Sequence, residues 1–205
     1  MPTFDLATGL HERVPPDTDR DRRLALLQSK GLLADRPVAQ FDAVAKQAAL
    51  EAGELVDVPN PGGFLAMVNF MKDGYQYFAG LWIPPDTSSG ASQASTGEPV
   101  PDERVMDRTV GWCVQTVDRR KALPLDNVYD YPRWIGKAVH QLGFETYLGV
   151  PLIDPTTDIA LGTMCLVGHA PVRWTPQAVG LLKDHARHVM QVINDPSALT
   201  LPAEH

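Results

Sequence analysis

The chain has 205 residues, of which 44% are hydrophobic and 21% charged, a composition typical of one ordinary globular domain. Its net charge of −7 and pI near 5.3 argue against sequence-independent binding to nucleic acid, which needs clustered Lys and Arg. No apolar run approaches the roughly 20 residues that cross a bilayer, and the N-terminus lacks a secretory pattern. We therefore expect a cytoplasmic protein that binds neither nucleic acid nor membrane.

The chain begins with a predicted tail and a short helix. Residues 1–17 show little periodicity and end in a proline-rich segment, as expected for a tail on the domain surface. Thr18 or Asp19 is a suitable N-cap for a helix that ends near Gly31. The alternating Asp and Arg residues of 17–23 are typical of a solvated helix start.

A second helix and a hairpin follow. Helical spacing of apolar residues predicts a helix between Asp35 and Gly53, with a buried face made mostly of small side chains. The apolar runs 64–71 and 75–83 flank Asp73-Gly74, a strong hairpin signal. Alternation assigns one face of the second strand to Tyr75, Tyr77, Ala79, Leu81 and Ile83, and the other face to Gln76, Phe78, Gly80 and Trp82. Since both faces carry bulky residues, we expect both to be covered.

The middle of the chain is less regular. Residues 84–101 are rich in Ser, Gly and Pro, which predicts a mobile surface loop. We predict a helical turn at 104–107 and a strand at 122–128. The aromatic connection 126–144 is predicted as a loop followed by a short helix after Pro132.

A second hairpin is predicted near the end of the chain. The apolar runs 147–153 and 159–167 are separated by the turn-forming segment 154–158. Gly149 and Gly162 mark points where another group can approach the backbone closely.

The last predicted element is a helix. Thr175 and Pro176 supply an N-cap and a first-turn proline, and Pro196 ends the helix before a tail, 196–205. An apolar stripe at intervals of three and four residues fits either the sheet or a partner helix. Its members are Val179, Leu182, Ala186, Val189 and Ile193.

This order of elements resembles the GAF domain, a small-molecule sensing module, of stand-alone bacterial type. The segments that carry the resemblance are ALLQSKGLLADRPVAQFDAVAKQAA (25–49), WCVQT (112–116), YLGVPL (147–152), LGTMCLVGHAPVRW (161–174) and the last helix. Together they cover roughly residues 22–195.

The resemblance implies an α+β, PAS-related fold with a central antiparallel sheet of five to six strands and helices on both faces. The domain would occupy residues 18–195, with the first and last helices packed on one face. The opposite face and the connection 102–146 would enclose a ligand pocket. The resemblance also implies a homodimer through the terminal helices and a separate signalling partner, since we expect no output domain within the 205 residues.

Candidate ligand contacts combine an acidic group, aromatic rings and two thiols, as small-molecule sites commonly do. They are Tyr77, Cys113, Asp126, Tyr129, Tyr131, Trp134, Tyr147 and Cys165. An equally weighted alternative is that the aromatic residues only close the open face of the sheet. No ligand or cofactor is identified by any motif. The spacing of His185 and His188 does not form a metal site, and a solvated helix face explains it better.

Cys113 and Cys165 are the only cysteines, and free cysteines are commonly buried and inert. Some stand-alone GAF proteins are free methionine sulfoxide reductases that use cysteines near the pocket, but this sequence lacks that cysteine arrangement. We therefore predict a non-enzymatic, ligand-binding regulatory domain. The alternatives are a thiol-based redox enzyme or sensor that uses both cysteines, and a purely structural interaction module.

Overall fold

The computed structural model describes residues 4–5, 10–11, 14–56, 63–85, 104–131, 137–140, 142–195 and 197–199. Its helices are α1 Arg20–Ser29, α2 Ala39–Glu54, α3 Cys113–Arg119, α4 Lys137–His140 and α5 Pro176–Asn194. The main strands are β3 Leu65–Met71, β4 Tyr75–Trp82, β5 Val105–Asp107, β6 Leu123–Leu125, β7 Thr146–Ile153 and β8 Ala160–Gly168. Two short strands, β1 Phe4–Asp5 and β2 Leu10–His11, form a separate antiparallel ribbon within the predicted tail.

The six main strands form one antiparallel sheet in the order β5-β4-β3-β8-β7-β6. Both predicted hairpins are confirmed: β3 and β4 join through Gly74, whose φ is +81°, and β7 and β8 pair along their length. The sheet thus has six strands, within the predicted five to six, and the predicted antiparallel pairing.

Helices cover both faces of the sheet, as predicted. The helix face is covered by α1, α2 and α5, whose buried residues include Leu27, Phe41 and Leu182. The site face is covered by α3, α4 and the connections beside them, with Trp112 and Phe144 among the buried residues. The sheet is therefore the middle layer between two separate apolar cores.

The last helix begins as its sequence predicts. The Thr175 hydroxyl accepts a hydrogen bond from the backbone N–H of Ala178 at 3.1 Å, and Pro176 occupies the first turn. The apolar stripe of α5 packs on its own sheet: Leu182 and Val189 are fully buried there. Helix α2 begins at Ala39, later than predicted, because the Val38 N–H donates to the Ala79 carbonyl of β4 and holds Val38 extended.

The prediction for the two faces of β4 is wrong beyond Ala79. The register with β3 shifts at this point, since Val68 pairs with Gly80 and Asn69 with Phe78. This β-bulge reverses the alternation, so that Leu81 packs against the core of the site face instead of sharing a face with Tyr77.

The middle segments also differ from the sequence prediction. Residues 105–107 form strand β5 rather than a helical turn, because they pair with Tyr75–Tyr77 at the sheet edge. The predicted strand 122–128 is limited to β6, and a 3₁₀ helix, Val128–Asp130, follows it. Helix α3 was not predicted. The loop predicted at 84–101 lies mostly outside the described residues. Pro132, the predicted start of the short helix, also lies outside them.

The segment before α1 is held more tightly than a solvated helix start. Arg23 is only 2% exposed, and its guanidinium donates to both carboxylate oxygens of Asp17 at 2.7 and 2.8 Å and to the Ala160 carbonyl at 2.7 Å. The expectation of solvated charges is therefore wrong for Arg23, because its side chain is buried between Asp17 and the Ala160 carbonyl of β8.

Strand β7 is only partly covered at its outer edge. Strand β6 pairs with Tyr147, Leu148 and Gly149, and no strand among the described residues pairs with this edge at 150–153. In the described part of the chain no helix is both long and apolar enough to span a membrane.

Candidate functional site

A small cavity lies on the site face, between the sheet and the segments that precede and follow α3 and α4. Its volume is about 30 Å³. The sheet supplies Met67, Gln76, Phe78, Tyr147, Cys165, Val167 and, from its edge strand β5, Met106. The cover supplies Val110, Gly111, Trp112, Cys113, Ala138, Leu142 and Phe144. All the covering residues come from the connection 102–146, which was expected to enclose a pocket.

The two cysteines meet at this cavity. Cys113 is the first residue of α3, Cys165 lies in the middle of β8, and their sulfur atoms are 3.7 Å apart. Both are free thiols and both are buried, with exposures of 7% for Cys113 and 0% for Cys165. Sulfur atoms at this distance are in contact, so the fold brings together a thiol pair that is 52 residues apart in sequence.

A buried amide holds this arrangement in place. Asn69 of β3 donates from Nδ2 to Cys113 Sγ at 3.2 Å, and its Oδ1 accepts the backbone N–H of Thr163 in β8 at 3.1 Å. Because Asn69 is fully buried, both ends of the amide need partners. The amide therefore links two central strands to the first residue of α3.

The cover is fixed by further side chains of the sheet. Gln76 donates from Nε2 to the Val110 carbonyl at 2.9 Å. On the other side of the cavity, the Tyr147 hydroxyl lies 2.8 Å from the Thr116 hydroxyl, and its ring centroid is 5.4 Å from that of Trp112. These contacts position the start of α3 above the sheet.

Hydrogen bonding gives the two thiols different acidities. The bond from the Cys165 thiol, assisted by that from Asn69, lowers the pKa of Cys113 to about 7 against the opposing effect of burial. The same interaction with Cys113, together with burial, raises the pKa of Cys165 well above its ordinary value. As pH rises, Cys113 is therefore the thiol of the pair that ionises first, and Cys165 keeps its proton longer.

The sequence comparisons agree with this architecture. The family model described as GAF domain matches residues 40–193, which is more than half of the chain. The chain belongs to the GAF domain family. No curated protein sequence matches it significantly.

Solved structures with this fold are distant in sequence. The GAF domain of Acinetobacter phosphoenolpyruvate-protein phosphotransferase is 13% identical, with a TM-score of 0.52 over 84% of this chain and 90% of that chain. The type II free methionine-R-sulfoxide reductase of Thermoplasma acidophilum is 12% identical, with a TM-score of 0.48 over 75% and 94%. The blue-light absorbing form of the Thermosynechococcus elongatus PixJ GAF domain is 13% identical, with a TM-score of 0.46 over 82% and 89%. At 13% identity, the likeness to the Acinetobacter domain concerns the fold alone.

Three predicted site residues of this GAF domain line the cavity: Cys113, Tyr147 and Cys165. Gly149 makes the position of Tyr147 possible, because a side chain at Gly149 would overlap the Tyr147 ring. Sequence reasoning missed Asn69 and Gln76. Their signal was a polar amide within an otherwise apolar, buried strand, which requires an internal partner.

The remaining predicted contacts lie elsewhere. Tyr77 is buried on the helix face, because strand alternation turns it away from Phe78 and the cavity. Asp126 accepts the backbone N–H of Trp174 at 3.0 Å and so fixes the connection before α5. Tyr129 is 48% exposed within the 3₁₀ helix Val128–Asp130, and Tyr131 packs against the core of the site face without lining the cavity.

Trp134 lies outside the described residues. The described residues also contain no group of three or more His, Cys, Asp or Glu side chains that could hold a metal ion. The expectation of a solvated side chain is wrong for His185. Its Nε2 lies 2.8 Å from a Glu51 carboxylate oxygen, and this contact links α5 to α2.

Proposed function

We propose that this GAF domain is a regulatory, non-enzymatic module that binds a small molecule in the cavity on its site face. The observation that carries the proposal is the cavity on the site face, whose wall is apolar and whose lining residues include three with polar groups, Gln76, Cys113 and Tyr147. Small-molecule sites commonly combine an apolar lining with a small number of placed polar groups. Two of these three polar groups also hold the cover in position, so occupancy of the cavity is coupled to the start of α3.

The size of the cavity defines the class of ligand. Its volume of about 30 Å³ accommodates about two water molecules, whereas pockets for drug-sized molecules occupy roughly 300–1,000 Å³. A ligand that fits the cavity is therefore smaller than an amino acid. It is uncharged or weakly polar, because no charged residue among those described lines the cavity.

Methionine methyl groups provide reporters for this proposal. Met67 and Met106 line the cavity, while Met164 and Met190 belong to the core of the helix face. With methyl-labelled methionine, a panel of molecules smaller than an amino acid is titrated and followed by NMR. We expect at least one panel member to shift the Met67 and Met106 signals while leaving those of Met164 and Met190 unchanged.

A cavity-filling variant tests the location. Val167→Ile adds one methylene at the cavity wall and keeps a β-branched residue in β8, so we expect it to abolish the response of Met67 and Met106. Val150→Ile is the matched control, since Val150 lies in β7 on the helix face. Absence of any shift in the unmodified protein, or an unchanged response in Val167→Ile, would contradict ligand binding in the cavity.

The contact between Cys113 and Cys165 favours a second candidate, reduction of methionine sulfoxide by a thiol pair. The cavity beside these sulfur atoms is too small for a substrate of amino-acid size. We therefore prefer the non-enzymatic function over the reductase.

We also propose that the domain acts on a separate signalling partner and dimerises through its terminal helices. Since the apolar stripe of α5 is used within the domain, the surface available to a second copy is the opposite, exposed side, with Asp184, Arg187 and His188. This side is polar, so the dimer contact would be more polar than the coiled-coil seam that the spacing alone suggests.

A further inference from the structure

We propose that Cys113 and Cys165 form an oxidisable dithiol that reacts with a peroxide small enough to enter the cavity, giving an intramolecular disulfide. The inference rests on the proposed function for the route of entry, since the cavity is the space through which the reagent reaches the sulfur atoms. It names a class of small molecule for the site: hydrogen peroxide or a short alkyl hydroperoxide.

The geometry requires only a small closure. The two sulfur atoms are 3.7 Å apart, and a disulfide bond is roughly 2.0 Å long. Cys165 is fixed, because β3 and β7 flank it, with Met67 and Gly149 as its direct cross-strand neighbours. Cys113 is at the start of a helix and two residues after Gly111, whose φ of +80° marks an irregular connection. The closure is therefore a movement of the start of α3 toward the sheet.

The environments assign the order of the two steps. Asn69 donates a hydrogen bond to Cys113 Sγ at 3.2 Å, and the contact with the Cys165 thiol stabilises negative charge on the same sulfur. Cys165 lies deeper, with no exposure, and remains a thiol. Cys113 is thus the attacking sulfur and Cys165 the resolving one.

The reaction balances with the peroxide as the only oxidant. The Cys113 thiolate attacks one peroxide oxygen, so an S–O bond forms, the O–O bond breaks, and the departing hydroxide or alkoxide takes a proton from solvent. The Cys165 sulfur then attacks Cys113, an S–S bond forms, the S–O bond breaks, and the Cys165 proton leaves with the hydroxyl as water. Two thiols are oxidised and one peroxide is reduced. Hydrogen peroxide gives two water molecules, and an alkyl hydroperoxide gives one water molecule and one alcohol. A dithiol reductant restores the starting state by exchange.

Hydrogen peroxide is the probe for the experiment. The reduced protein is treated with a limiting amount, and free thiols, intact mass and cysteine-containing peptides are followed with time. We expect both free thiols to disappear together and the intact mass to fall by two hydrogens. On a non-reducing gel the chain should run as a monomer. Reduction with dithiothreitol should restore both thiols.

Single variants separate the two roles. In Cys165→Ser, Cys113 should gain one oxygen and react with a sulfenic acid probe, because the resolving thiol is missing. In Cys113→Ser, the remaining thiol should be lost at least about tenfold more slowly than in the unmodified protein. Alanine variants at both positions provide a second pair if a buried serine disturbs folding, and circular dichroism checks each fold.

Several results would overturn the inference. Equal loss of thiols in Cys113→Ser and the unmodified protein would remove the attacking role of Cys113. Disulfides only between chains, or persistence of both thiols in excess peroxide, would show that the pair does not close. Methyl shifts at Met67 and Met106 without thiol oxidation would overturn the dithiol alone, while thiol oxidation without any methyl response would overturn the proposed ligand binding alone.

Discussion

The two cysteine sulfur atoms touch, yet the residues around them favour different protonation states. Asn69 donates a hydrogen bond to Cys113, whose sulfur also lies 3.7 Å from that of Cys165, whereas Cys165 is surrounded by buried strand residues of β8 and its neighbours. Hydrogen bonds to the charged form of an acid lower its pKa, and burial without such bonds raises it. The asymmetry of this pair thus comes first from the interaction between the two thiols, and the side chains around Cys113, Asn69 among them, add to it.

This asymmetry predicts the effect of removing one sulfur. In Cys165→Ala the largest contribution to the lowered pKa of Cys113 is gone, so that pKa should rise from about 7 toward the ordinary value. The fraction of Cys113 present as thiolate at neutral pH should therefore fall. The measurement is thiolate ultraviolet absorbance against pH.

Cys113→Ala is the control for this titration: it removes the interaction with Cys113 that raises the pKa of Cys165, but Cys165 stays fully buried, and burial disfavours its thiolate, so no thiolate signal should develop near neutral pH. If Cys165→Ala titrates at the same pH as the unmodified protein, the Cys165 thiol does not determine the acidity of Cys113.

At the scale of elements, helix α2 approaches the sheet closely at Gly80. An added Cβ at this position would lie 2.6 Å from backbone atoms of Phe41 in α2, well inside van der Waals contact. This glycine also lies at the bulge of β4. The same position therefore affects both the register of β4 with β3 and the packing of α2 on the sheet.

Gly80→Ala should therefore destabilise the protein by about 1–3 kcal/mol, because α2 must move away from β4 or strain the strand. Gly180→Ala is the matched control within α5, where nothing lies within 4 Å of the added Cβ. That change should stabilise by about 0.5–1 kcal/mol through helix propensity. The free energies of unfolding in urea measure both. Equal effects of the two substitutions would show that the contact with Phe41 does not limit the packing of α2.

The elements that could be predicted from sequence are those with local signals. Asp73-Gly74 and Thr175-Pro176 specify a turn and a helix start through their own chemistry, and both are confirmed. Strand β5 has no such signal, because it exists through pairing with Tyr75–Tyr77. Helix α3 has seven residues and no side-chain cap, so its sequence carries little helical pattern.

The same distinction applies to the site. Cys113, Tyr147 and Cys165 could be placed near a pocket by resemblance to the family. Tyr77 was placed wrongly, because the face that a strand turns toward the pocket depends on how the sheet is covered. Asn69 could have been found from its isolation in an apolar run, but its partner in α3 depends on the fold of the whole domain.

At the scale of the whole molecule, an ion-pair cluster joins the chain before α1 to the sheet and to the site face. Asp17 binds Arg23 through both carboxylate oxygens, and one of these oxygens lies 3.6 Å from Arg108 Nε. Arg108 also donates to the Pro15 carbonyl at 2.9 Å. One carboxylate thus compensates two guanidinium groups from distant parts of the sequence.

Asp17→Asn keeps the shape of the side chain but removes its charge. The Arg23 guanidinium then stays buried without a counterion, which we expect to cost about 3 kcal/mol of unfolding free energy. The measurement is urea unfolding near neutral pH. Asp21→Asn is the control, since the Asp21 side chain is 88% exposed and its pairing is worth little. If Asp17→Asn lowers the free energy of unfolding no more than Asp21→Asn does, Asp17 does not compensate the charge of the buried Arg23.

The partly uncovered edge of β7 has a consequence for how the protein behaves at high concentration. An open strand edge is a template on which strands of other molecules can assemble into aggregates. Pro151 lies within the uncovered segment and has no backbone N–H, so it interrupts the row of donors that such assembly requires. Among the described residues no strand pairs with 150–153, and a strand from another molecule that paired there would lack the backbone donor at Pro151.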